Sequence, residues 1–117
     1  MADKCLLFTY GMLQPGASPP RTASNFWRDR LKGELYDLGA FPVAVKVGAA
    51  ADLIDGFVIE LDRDELPDLD DFEDTDSGEF VRKTVTTEQG FEVYVYEYGL
   101  PVPTTAPKIK QWQPKGI

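Results

Sequence analysis

Apolar positions along this chain recur mainly with the two-residue period of strands. Residues 5–10 read Cys-Leu-Leu-Phe-Thr-Tyr. That near-continuous apolar run is expected of a strand buried on both faces. Gly11 ends it, and a turn-rich loop with Pro15, Gly16, Pro19 and Pro20 carries the chain to about residue 21. Residues 22–31 read as a short helix with Phe26 and Trp27 on its inner side. Residues 33–38 alternate polar and apolar, as a half-buried strand does, and Gly39 breaks them. Residues 41–47 and 54–61 are two further strand candidates, with Gly56 expected to mark a bulge. Residues 80–86 and 91–98 alternate strongly, and Glu88-Gln89-Gly90 between them suits a hairpin turn. From residue 101 the chain carries four prolines and little periodicity, with Trp112 as its one large apolar anchor.

One segment changes period. Residues 62–74 read Asp-Arg-Asp-Glu-Leu-Pro-Asp-Leu-Asp-Asp-Phe-Glu-Asp. Asp62 or Asp64 suits a helix cap, and Pro67 is tolerated in a first turn whose N–H groups lack helical partners. With a helical advance of about 100° per residue, Leu66, Leu69 and Phe72 form one apolar stripe. Glu73 falls inside that stripe, whereas Asp70 lies at its edge and Asp68, Asp71 and Asp74 point elsewhere. A carboxyl group on a buried face loses hydration, which favours its neutral form, and acidic neighbours push the same way. Glu73 is thus a candidate proton shuttle near neutral pH. The alternative is a structural ion pair with Arg82 or Lys83, and the pattern alone ranks the two about equally. Tyr10-Gly11-Met12-Leu13, at the end of the first strand, is a candidate ligand loop whose N–H groups suit a carboxylate or an oxyanion. Its alternative is an ordinary strand-end turn.

Composition narrows the chemistry. The 117 residues fit a single domain spanning 1–117, with a core at about 5–98 and a proline-rich tail at 101–117. Hydrophobic residues at 43% and charged residues at 27% are globular values. No apolar run approaches the ~20 residues of a membrane span. The start, Met1-Ala2-Asp3-Lys4, lacks signal-peptide features, so a cytoplasmic location is expected. A net charge of −8 disfavours nucleic acid and anionic membranes as partners. The single cysteine, Cys5, excludes an internal disulfide and reads as a small apolar core residue. The absence of histidine excludes Ser-His-Asp and Cys-His nucleophiles and histidine-ligated metals. No metal site is expected, and proton transfer falls to a shifted carboxylate, lysine or tyrosine, or to Cys5.

The ordered motifs resemble the γ-glutamylcyclotransferase-like superfamily, and within it the branch of γ-glutamylamine cyclotransferase and AIG2-like proteins. Leu7-Phe8-Thr9-Tyr10-Gly11-Met12-Leu13 is similar to its apolar strand followed by Tyr-Gly-(Ser/Thr)-Leu. Leu69-Asp70-Asp71-Phe72-Glu73 is similar to its Leu-Asp-x-(Phe/Tyr)-Glu, which carries the catalytic glutamate. Gly33-Glu34-Leu35-Tyr36, Phe41-Pro42, Gly56-Phe57-Val58, Phe80-Val81-Arg82 and Tyr94-Val95-Tyr96 follow in family order. The resemblance implies a mixed α/β (α+β) fold, a small β-barrel with a few short helices packed around it. It implies an enzyme that needs no cofactor and releases 5-oxoproline from a γ-glutamyl amine or amino acid. Glu73 would be the acid/base, and the backbone of Tyr10, Gly11, Met12 and Leu13 would bind the glutamyl end. Arg82, Phe80 and Tyr98 are possible supporting residues, with a structural role favoured for Arg82. Met12, Phe80 and Asp74 depart from the family's usual hydroxyl residue, tyrosine and glycine. The alternative function is a non-catalytic module of the same fold that binds a small ligand. Leaving group and oligomeric state are not specified by these residues.

Overall fold

The computed structural model describes residues 3–113. Eight strands form two sheets: β1 (Lys4–Thr9), β2 (Asn25–Lys32), β3 (Glu34–Asp37), β4 (Pro42–Val45), β5 (Leu53–Asp62), β6 (Phe80–Thr86), β7 (Glu92–Tyr98) and β8 (Lys108–Ile109). The larger sheet runs β2-β5-β1-β7-β6 and the smaller β4-β3-β8. The larger sheet has two free edges, so the expected barrel is an open sheet faced by a second one, within the expected mixed α/β class. β1 is central. It pairs antiparallel with β5 over six residues and parallel with β7 at Leu7 and Tyr94. That position explains its apolar run, since Leu7 and Phe8 are fully buried.

Residues 22–31 are not a helix. Most of them form β2, which pairs with β5 without a break from Asn25–Glu60 to Lys32–Leu53. Asp29 and Leu31 face inward with the half-buried Trp27, while Phe26, Arg28 and Arg30 face out, a period of two. Phe26 is 54% exposed rather than inward, and it lies edge-on to Phe57. Eight paired positions on a long neighbour outweigh whatever helical preference the segment has. Gly56 does not make a bulge either, because the β2–β5 register passes straight through it. A Cβ there would stand 2.3 Å from the Thr9 carbonyl oxygen and 2.7 Å from the Phe8 ring, so the residue permits close strand approach.

The acidic segment is less regular than one helix. A 3₁₀ turn, Arg63–Glu65, precedes α1 (Leu66–Phe72). Asp62 sits at the cap position with extended backbone but makes no capping hydrogen bond; its carboxylate accepts from Lys4 Nζ at 2.7 Å instead. Leu66 and Leu69 are buried as the stripe requires, whereas Phe72 is 60% exposed. The tail adds β8 to β3 and then buries Trp112 in the core between the sheets. Among the described residues, no helix is long and apolar enough to cross a membrane.

Candidate active site

β1 delivers its last residues into a bend just where α1 ends. Glu73 follows α1 directly, and its N–H donates to the Leu69 carbonyl at 2.9 Å. That bond keeps Glu73 in helical phase, so its side chain stays on the side of Leu66 and Leu69. Asp74 then turns left-handed, with φ +55°. Glycine adopts this conformation at least cost, which explains the physical demand at the position where Asp74 departs from the family pattern.

A cavity of about 290 Å³ lies between these elements. Tyr10, Gly11, Met12 and Leu13 line one side, and Phe72, Glu73 and Glu79 another. Ala40, Phe41, Pro42, Phe80 and Tyr96 contribute a largely apolar remainder. Five of the loop and acid candidates, Tyr10, Gly11, Met12, Leu13 and Glu73, therefore meet in one place, joined by Phe80. Arg82 and Tyr98 do not line it. Tyr98 packs on Phe80 with ring centres 5.4 Å apart. Arg82 pairs with Asp70 at 3.2 Å, and Lys83 pairs with Glu97. Neither expected ion-pair partner of Glu73 is bound to it.

Glu73 is half-buried and has no ion-pair partner among the described residues. Burial raises its proton affinity first and the Glu79 charge adds to it, so its pKa is pushed up to about 7. The repulsion comes from Glu79, not from the aspartates of its own helix. Tyr10 is buried, and its hydroxyl donates to the Tyr96 carbonyl at 2.6 Å. Burial, with the nearby Glu73 charge, holds that phenol far above its ordinary range, so it is no acid at neutral pH.

The bend at Gly11 and Met12 is held through its carbonyls. Gly11 O accepts from Gln14 N and from Gln14 Nε2, both at 3.1 Å, and Met12 O accepts from Ser18 N at 2.7 Å. Among the described residues, nothing accepts from the Gly11, Met12 or Leu13 N–H. Gln14 is 4% exposed and also donates to the Trp112 carbonyl at 3.0 Å. Neither Gln14 nor Glu79 stood out in the sequence: Gln14 acts through a contact 98 residues away, and Glu79 is one acid among twenty. Met12 is 39% exposed and meets the cavity at its rim.

Residues 7–114 match the family model described as gamma-glutamyl cyclotransferase, AIG2-like. The chain belongs to this family. Its fold is similar to that of a mouse AIG2-like protein, with a TM-score of 0.78 at 19% identity over 97% of this chain and 90% of that one. An uncharacterized protein from Pyrococcus horikoshii gives 0.69 at 21% identity, over 91% and 86% of the two chains. A structure described as gamma-glutamyl cyclotransferase gives 0.60 at 21% identity, over 91% and 72%. No curated protein matches the chain significantly by sequence. In this cyclotransferase-like fold the cavity lies at the carboxyl end of the central strand, where loops leaving parallel-paired strands commonly hold ligands.

Proposed function

We propose that this member of the family cyclises a γ-glutamyl amine or amino acid, with Glu73 as acid and base and 5-oxoproline as product. One observation carries the reading. A half-buried carboxyl group with a pKa of about 7 shares a cavity with the main-chain amides of the Gly11–Met12–Leu13 bend, and among the described residues neither has a partner. The ionised Glu73 takes a proton from the substrate's α-ammonium. The freed amine attacks its own γ-carbonyl carbon, and the new C–N bond closes a five-membered ring. Negative charge gathers on the carbonyl oxygen, which fixed N–H donors stabilise without reorganising. The old C–N bond then breaks as protonated Glu73 gives its proton to the departing nitrogen; the carboxylate so regenerated takes the second proton from the ring nitrogen and passes it to the leaving amine, which departs as its ammonium. Proton count balances, and one group with a pKa near the working pH serves both steps. Ring closure is intramolecular, so the cavity's task is to keep the substrate folded with its reacting atoms in contact.

The test is a 5-oxoproline assay on a panel of γ-glutamyl amines and amino acids, with Glu73→Gln alongside. Product formed by the wild type and lost in the variant is expected. Full turnover by Glu73→Gln would sink the mechanism. Thermal stabilisation by panel members without any product would instead favour a ligand-binding module.

A further inference from the structure

The cavity walls hold two carboxyl groups, Glu73 and Glu79, and no lysine or arginine. A cation nevertheless stands close behind. Arg82 follows Phe80 by two residues on β6, and its guanidinium lies 5.1 Å over the Tyr94 ring and 3.2 Å from Asp70 Oδ2. The other oxygen, Asp70 Oδ1, accepts from the Tyr96 hydroxyl at 2.7 Å. Tyr96 in turn lines the cavity, and the charges of Asp70, Arg82 and Glu73 all act on its hydroxyl. A single aspartate, three residues before Glu73, thus joins β6 and β7 to α1.

A guanidinium prefers a carboxylate that it can engage through two N–H groups. The Arg82 and Glu73 charges both act on the Tyr96 hydroxyl, so with Asp70 neutral Glu73 is the other carboxyl facing that hydroxyl. We propose that Asp70 is a positioning residue: by binding the Tyr96 hydroxyl and the Arg82 guanidinium together, it denies Glu73 an ion pair with Arg82. The inference rests on the reading of Glu73 as the acid/base. Among the described residues, the other elements packed on Glu73 bring no rival cation. The bend after β1 brings the Tyr10 hydroxyl, and the turn before β6 brings the Glu79 carboxylate. β7 brings the Tyr96 hydroxyl, and the β3–β4 connection brings only Ala40 and Phe41, with Pro42 at the start of β4.

The experiment follows the Glu73 carboxyl by carbon-13 NMR in glutamate-labelled protein without substrate, its resonance assigned by loss in Glu73→Gln. Asp70→Asn keeps an acceptor for Tyr96 but removes the charge. Its Glu73 midpoint is expected to fall by about one pH unit or more, the usual effect of a nearby cation. Asp70→Asn/Arg82→Gln is expected to restore the midpoint, and the acidic limb of kcat/KM should move with it. Arg82→Gln alone should leave the midpoint at or above the wild-type value. A fall that persists in the double variant would mean simple repulsion between Asp70 and Glu73 and would overturn the proposal. So would an unchanged midpoint in Asp70→Asn, or a fall in Arg82→Gln. Because the titration needs no turnover, loss of the enzymatic reading, through full activity of Glu73→Gln, would be seen separately.

Discussion

Two glutamates bracket α1, and the structure treats them in opposite ways. Glu65 is the more deeply buried, at 4% exposure, yet its carboxyl is held below the ordinary value of 4.5. Burial alone would raise it. The main-chain N–H of Arg21 and of Thr22, each at 2.7 Å, and the Thr22 hydroxyl at 2.5 Å reverse the effect. Glu73 is less buried but has no such donors, and its carboxyl is raised to about 7. What separates a structural clamp from a candidate proton shuttle is therefore whether hydrogen-bond donors offset the burial of the carboxylate. Glu65 fastens the far end of the loop that begins at Gly11, so one acid stabilises the frame in which the other is free to titrate.

The sharpest way to break this contrast is to neutralise each acid in turn. Glu73→Gln is expected to cut 5-oxoproline formation by about 10²–10⁴-fold, the usual worth of a positioned acid/base, with its melting temperature at neutral pH not lowered. Glu65→Ala is expected to do the reverse. It leaves three donors unpaired and should cost about 3 kcal/mol of stability, read by urea unfolding. Equal loss of activity in the two variants at temperatures where both are folded would erase the distinction.

Stability against pH separates them next. The folded-state pKa of Glu65 lies below 4.5, so its contribution is present above pH 4.5 and is lost as pH falls below it. Glu73 has the opposite sign. Its folded pKa of about 7 exceeds the ordinary 4.5, so the folded state binds more protons between those values and loses stability as pH rises through them. Glu73→Gln should therefore stabilise the protein at pH 8 by about 1 kcal/mol, discounted because the group is half-buried, and by nothing near pH 4. Equal effects at both pH values would contradict the assignment. The smallest expected effect belongs to Met12→Ser. This side chain is exposed at the cavity rim and the substitution leaves its main-chain N–H in place, so both stability and turnover should stay within about 0.5 kcal/mol of wild type.

Much of this was legible beforehand, for identifiable reasons. β1, β3 to β5 and β7 follow their apolar period because each has one or both faces largely buried, while β6 buries only Phe80 and is held by its pairing with β7. Glu73 could be chosen among its acidic neighbours because helical phase survives even where α1 itself has ended. Phe72 shows the limit of that argument, since the same phase did not bury it. β2 was misread because its pairing with β5, not its own residues, decides its state. β8 has only two residues and exists through its contact with β3. Glu65 and Gln14 gave no signal because their partners lie far along the chain, and Glu79 because nothing in its local pattern sets it apart from the other acids. Arg82, for which a structural role was favoured, pairs with Asp70.

The Gln14 amide spans the bend at Gly11 and the main chain at Trp112, and so couples them mechanically. Nicking the polypeptide just ahead of the tryptophan would release one end of that strut, and the bend would relax although no residue facing the cavity had been touched. Cleavage there would then reach the candidate site from behind, as a slackening of the cradle with every cavity-lining side chain intact.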